Sequence, residues 1–347
     1  MKQTRTTRRL TSAALAAQRA LEALGNSLGV NFESAMRPNR LLLLLLLLFT
    51  AIAPGLSERG PSRPTPNAAV ATVDTGRVAV DGGSLYYEAA GSGTPVILLH
   101  GGNLDRRMWD AQFALLRQRH RVIRYDARGF GRSSAADRPF AAHHDLAALF
   151  RALNLSRAAL VGLSMEGRIA IDFTLAHPEM VDRLVLAAPG ISGGKWAEDG
   201  DTLWLVQARA AAARGDSIGV SLAWLGSAYI RTALHPPARA ALIRQMVVDN
   251  SAYWMGIVRH QDLEREASPP AADHLHDLRV PVLLLVGESD TRFIHDVADA
   301  IATRAPRVRR VDLPRVGHML NLEATEQFNG ELLTFLASRC PPAIVCN

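Results

Sequence analysis

From residue 95 onward the chain alternates short, mostly apolar runs with helix-length segments, and that rhythm leaves few architectures open. The runs fall at 96–99 (Val96-Ile97-Leu98-Leu99), 122–125, 159–161, 184–186, 282–286 and 308–313. Several are apolar at consecutive positions, the pattern of a strand covered on both faces. Helical stretches are expected between them, near 106–118, 144–153, 165–177, 294–304 and 325–337. Strand–helix alternation of this kind predicts a mostly parallel sheet with helices on both faces, an α/β fold. Two earlier runs, 77–81 and 84–89, flank Asp81-Gly82-Gly83 and read as a hairpin. One interval breaks the rhythm. Residues 190–275 show no clear strand and hold Trp196, Trp204, Trp224, Tyr229, Tyr253 and Trp254. We expect a helical cap there, inserted into a core made of 69–189 and 276–338, with some of the aromatics lining an apolar pocket over the sheet.

The N-terminal part has a different character. Leu41 to Leu48 form an unbroken run of leucines, continued by Phe49-Thr50-Ala51-Ile52-Ala53 and preceded by Arg37 and Arg40. A basic flank, an apolar run of roughly a dozen residues and small residues after it describe a signal peptide. A spanning helix needs ~20 apolar residues. Residues 36–55 are therefore expected to be a signal peptide, with a membrane anchor through 41–53 as the alternative. The protein would then be secreted or periplasmic, or else membrane-anchored. Residues 1–35 read as a disordered leader or an over-extended start ahead of Met36. Residues 56–68, with Pro61, Pro64 and Pro66, read as a linker. In the tail, 339–347, Cys340 and Cys346 either close a small loop in an oxidising compartment or remain two free thiols.

Charge argues against nucleic acid as a partner. The chain holds 39 Lys and Arg against 33 Asp and Glu. Residues 1–40 carry seven of the basic and two of the acidic side chains, which leaves 32 against 31 for the rest. A near-neutral body offers no basic face. No paired Cys/His spacing points to a metal, and no phosphate loop to a nucleotide, so no cofactor is expected. The partner is expected to be a small-molecule substrate.

The chemistry gathers after the strands. Gly162-Leu163-Ser164-Met165 follows the run at 159–161 and precedes a helical segment. A serine on a sharp strand-to-helix turn exposes its hydroxyl at the carboxyl edge of the sheet, and the next backbone N–H points at the developing oxyanion. Serine alone is a weak nucleophile and needs a base, and the base needs an orienting acid. Gly287-Glu288-Ser289-Asp290 follows the run at 282–286, and Gly317-His318 follows the run ending near Leu313. The order is serine, acid, histidine, each just past a strand. Asp290 is the expected acid, with Glu288 and Asp296 as alternatives.

In these residues the chain resembles the α/β-hydrolase superfamily, over about residues 77–338. His100-Gly101-Gly102 looks like the family's oxyanion loop, and Asp126-x-Arg128-Gly129-x-Gly131-x-Ser133 resembles a segment of its cap-bearing members. The resemblance implies an α/β-hydrolase fold with an inserted helical cap. It also implies Ser164 as nucleophile, His318 as base, Asp290 holding the imidazole, and the N–H groups of Gly102 and Met165 as oxyanion hole, with Asn103 as a substitute for Gly102. His100, Asp126, Arg128 and Ser133 are expected to be structural. The pattern is most similar to carboxylesterases and enol-lactonases. The activity implied is therefore an exported serine hydrolase that cleaves an ester or lactone of a small, fairly apolar substrate through an acyl-enzyme. Carbon–carbon bond hydrolysis and a cofactor-free haloperoxidase-like activity are the alternatives. One position departs from the family's Gly-x-Ser-x-Gly: Glu166 stands where the second glycine belongs. A side chain there is expected to crowd helix against strand in a backbone conformation that suits glycine, and to bring a negative charge near His318. A catalytically impaired binding protein is the reading that follows if the crowding disables the turn.

Overall fold

A computed structural model describes residues 72–194, 203–258 and 263–338. The leader, the leucine run, the linker and the two cysteines lie outside the described residues.

The hairpin forms as β1 (Asp74–Val80) and β2 (Gly83–Ala90). The strands that follow are β3 (Pro95–Leu99), β4 (Arg121–Tyr125), β5 (Ala158–Leu163), β6 (Val181–Ala187), β7 (Val282–Gly287) and β8 (Val308–Leu313). Together they make one eight-stranded sheet in the order β1-β2-β4-β3-β5-β6-β7-β8. β2 pairs antiparallel with β1 and with β4, and every other pairing is parallel. β5 and β7 are buried along their whole length. That burial explains why their sequences run apolar without alternation: helices cover both faces.

The core helices are α1 (Asp110–Leu116), α2 (Ala142–Ala152) and α3 (Met165–Ala176), joined further along the chain by α10 (Arg292–Arg304) and α12 (Thr325–Ala337). In α10 the buried side chains are Ile294, Val297, Ala298 and Ile301, a stripe at helical spacing. The stretch expected as one helix over 106–118 is instead a 3-10 turn, Arg106–Trp109, followed by α1. The buried Asp105 side chain accepts from the Arg107 N–H and sets that tighter start.

Six helices separate β6 from β7 among the described residues: α4 (Leu203–Ala213), α5 (Ser217–Trp224), α6 (Ala228–Arg231), α7 (Pro237–Asp249), α8 (Ser251–Val258) and α9 (Ala271–His274). Asn250, at the end of α7, fastens this cap to the core. Its Oδ1 accepts from the Gly131 N–H at 2.7 Å, and its Nδ2 donates to Asp105 at 3.2 Å. Among the described residues no helix is long and apolar enough to cross a membrane.

The strand order decides where a ligand can enter. The chain leaves β3 for β4 on one side, then crosses to β5 on the other. The connections after β3 and β5 therefore diverge and open a crevice at their carboxyl ends, the usual binding place in such sheets. The loop bearing Gly102 and the turn bearing Ser164 flank that crevice.

Candidate active site

Ser164 joins β5 to α3 with φ 55° and ψ −115°, a left-handed conformation for a residue that carries a side chain. Such a residue costs on the order of 1–3 kcal/mol. The surrounding turn over-determines it. The Ser164 N–H donates to Ala187 O at 3.0 Å, and its carbonyl accepts from the Gly190 N–H at 3.0 Å. Gly162 permits the close packing: a Cβ there would stand 2.8 Å from Glu166 O and 2.9 Å from the Gly167 Cα.

The strands bring three of the expected residues together. The Ser164 hydroxyl lies 2.8 Å from His318 Nε2. His318 Nδ1 lies 2.9 Å and 3.1 Å from the two oxygens of Asp290. A carboxylate only accepts, so Nδ1 carries the proton and Nε2 is left to accept from the serine. The imidazole and the carboxylate are both almost wholly enclosed, at 1% and 0% side-chain exposure, which strengthens their interaction. Glu288, one alternative acid, is exposed, and Asp296 pairs with Arg292 at 3.7 Å. The loops bearing Asp290 and His318 touch because Gly287 has no side chain; a Cβ there would lie 2.2 Å from Gly317 O.

Gly102 and Met165 line the same cavity as Ser164 and His318. Asn103, at φ 61° and fully buried, is not among the lining residues. His100 is fully buried, and burial lowers its pKa. Its Nδ1 donates to Gly101 O at 2.8 Å and its Nε2 accepts from the Ala127 N–H at 2.9 Å, so it pins the Gly102 loop to the loop after β4. Asp126 accepts from the backbone of Arg106 and Arg132, Ser133 donates to Asp126 O, and Arg128 forks onto Asp145. All three hold loops in place.

Glu166 departs from expectation. Its backbone is helical, inside α3, and it is absent from the positive-φ residues. The positions where a Cβ would collide are Gly162 and Gly167, where it would meet Pro189 at 3.0 Å. The carboxyl group is buried and does not line the cavity. Its Oε2 accepts from the Tyr125 hydroxyl at 2.5 Å, while Oε1 is buried without a hydrogen-bond partner. Burial pushes its pKa up to about 8, outweighing the Tyr125 hydrogen bond, with the negative charge of Glu264 adding to the rise. The side chain thus extends toward the end of β4 as a mostly neutral acid, on helical backbone rather than in a conformation that suits glycine.

The cavity, about 410 Å³, is lined on the cap side by Trp204, Trp224, Tyr229 and Tyr253, four of the expected aromatics. Trp196 and the Trp254 side chain lie outside the described residues. The Tyr229 ring packs edge-on against His318 at 5.0 Å. Sequence reading missed six contributors, Gly190 and Ile191 among them. Phe293 and Ile294 line the cavity from the start of α10, and Arg168 and Glu264 bring charge into it. It also missed Glu323, in α11 (Leu320–Glu323), whose carboxylate accepts from the N–H groups of Gly317 and Met319, each at 3.0 Å. That clasp holds the backbone on either side of His318. Arg168 alone left a signal, lying four residues past Ser164 on a helix.

Comparison with known proteins agrees with this architecture. A profile of the alpha/beta hydrolase fold matches residues 94–325. The AB hydrolase superfamily protein YisY of Bacillus subtilis is 29% identical over 273 residues, covering 73% of this chain and 95% of its own. Carboxylesterase YbfK of the same organism is 28% identical over 255 residues, 70% of this chain and 79% of its own. Among solved structures, the enol-lactonase of Burkholderia xenovorans LB400 superposes with a TM-score of 0.62 at 24% identity, over 76% of this chain and all of that one. The matched profile spans the sheet from β3 to β8 together with the helical insertion, and the chain belongs to the α/β-hydrolase fold family.

Proposed function

We propose that this protein is an exported serine hydrolase that cleaves esters or lactones of small, fairly apolar substrates through an acyl-enzyme. The observation that carries the reading is the continuous contact from Ser164 Oγ to His318 Nε2 and from His318 Nδ1 to Asp290. In this reading the substrate carbonyl sits against Ser164 with its oxygen toward the N–H groups of Gly102 and Met165. The Met165 N–H belongs to the first turn of α3, where unpaired N–H groups and the helix dipole favour developing negative charge. As Ser164 attacks, His318 takes the hydroxyl proton, and Asp290 stabilises the imidazolium. His318 then returns the proton to the leaving oxygen. Water repeats the sequence to release the acid.

The aromatic lining and the volume of the cavity support a small substrate with a substantial apolar portion. The similarity to a carboxylesterase supports ester hydrolysis. The burial of Glu166 away from the cavity removes the main argument for an impaired binding protein. Export rests on the leucine run behind Arg37 and Arg40.

The test is covalent labelling with a fluorophosphonate, followed by peptide mapping, beside turnover of short-chain p-nitrophenyl esters. Label is expected on Ser164. The Ser164→Ala protein is expected to lose roughly four to six orders of magnitude in kcat. Near-normal turnover by the purified variant would sink the mechanism.

A further inference from the structure

Arg168 follows Ser164 by one turn of α3, so its side chain leaves the helix on the nucleophile's own face. It lines the cavity next to Gly190, Ile191 and Glu264, in a wall otherwise dominated by aromatic rings. Its side chain is 14% exposed and that of Glu264 10%. Arg168 Nη2 donates to Glu264 Oε1 at 2.5 Å. Nη1 stands 3.8 Å from Asp172 Oδ2, an ion-pair separation too long for a hydrogen bond. Asp172 is itself fixed by the Ser192 hydroxyl at 2.6 Å. Two carboxylates thus hold the guanidinium of Arg168 at the cavity wall.

A guanidinium in that wall favours a ligand that brings an acceptor to it, because a hydrogen bond from a charged donor is stronger than one from a neutral donor. The charge of the guanidinium, however, is already matched by Glu264 in contact and Asp172 behind. A substrate carboxylate would have to lose its hydration to become a third anion around one cation. A neutral oxygen accepts from the same N–H groups without that cost.

We propose that Arg168, oriented by Glu264 and Asp172, is the specificity-determining residue of this cavity, selecting esters that carry a neutral acceptor oxygen, such as a second carbonyl or an ether, near the scissile bond, over plain alkyl esters and over carboxylates. The proposal rests on the serine-hydrolase reading and names its substrate class.

The test compares three tails of equal length: alkyl, oxoalkyl and carboxyalkyl. They are placed on the acyl side of p-nitrophenyl esters and, separately, on the alcohol side of butyrate esters. On at least one side the wild type is expected to favour oxoalkyl over alkyl in kcat/KM by roughly ten- to hundredfold, the range of a hydrogen bond from a charged donor. Carboxyalkyl should rank last. Arg168→Met should bring the oxoalkyl-to-alkyl ratio toward one, mainly through KM. Arg168→Lys should keep part of the preference, and Glu264→Gln should raise the carboxyalkyl rate relative to the oxoalkyl rate. Should Arg168→Met fail to fold, the wild-type ranking and Arg168→Lys still decide. Equal oxoalkyl and alkyl rates on both sides, a preference for the carboxylate, or a uniform loss over all tails in the Arg168 variants overturns the assignment alone. Absence of both turnover and fluorophosphonate labelling overturns it together with the hydrolase reading.

Discussion

Glu166 places a carboxyl group in the interior with one oxygen accepting from Tyr125 and the other without a partner. An acid in that position folds most readily when neutral. Its pKa is about 8 in the folded protein against an ordinary value of 4.5. Between those limits the folded state holds a proton that the unfolded chain has released. Stability from this group is therefore fully present below about pH 4.5, falls as pH rises, and levels off above about pH 8. Glutamine keeps an acceptor for Tyr125 and cannot ionise. Glu166→Gln is expected to melt close to the wild type at pH 5 and higher than it at pH 9. The gap should amount to several degrees, reflecting on the order of a few kcal/mol. Thermal melts at the two pH values check this, and equal gaps at both would show that the carboxyl is ionised throughout. The pair Ser164 and His318 could be read from residue order, but the direction of the Glu166 side chain could not. That direction depends on Tyr125, 41 residues earlier in the chain, whose nearness only the sheet pairing creates.

At the scale of elements, the junction of β5 and α3 distributes its steric demands differently from what the Gly-x-Ser-x-Gly pattern suggests. The residue two before the nucleophile, Gly162, faces backbone atoms of Glu166 and Gly167. The residue two after it, Glu166, lies on helical backbone and carries its carboxyl group to Tyr125. Backbone cannot move aside as a flexible side chain can. Gly162→Ala is therefore expected to destabilise by roughly 1–3 kcal/mol, lowering Tm by about 2–10 °C, and to cut kcat by displacing Ser164. A calorimetric melt and an esterase assay read both effects; an unchanged Tm would mean that the turn has room the geometry denies. Element positions were largely legible beforehand. The six parallel-sheet runs and the helix at Thr325–Ala337 fall where periodicity puts them. The stretch at 106–118 did not stay one helix, because a buried Asp105 cap is invisible until the core encloses it.

For the whole molecule, the proposed export rests on Arg37, Arg40 and the leucine run, and implies that the hydrolase body is released from the N-terminal segment. N-terminal sequencing of secreted protein is expected to begin between about residues 51 and 68, just past the apolar run. Full-length protein held in the cytosol would contradict it. What the sequence by itself determined is the alternation that commits the chain to a sheet covered by helices, and the placing of serine, acid and histidine each just past a strand. Both are local properties: side-chain period follows from backbone geometry, and a residue just past a strand must lie at the sheet's carboxyl edge. What only the tertiary structure decided is which distant residues meet there. Glu323 clasps the His318 loop, Arg168 meets Glu264 across 96 residues, and Asp290 reaches His318 while Glu288 turns to solvent. Those meetings are set by strand order and by the fold of the cap over the crevice, and no local pattern encodes them.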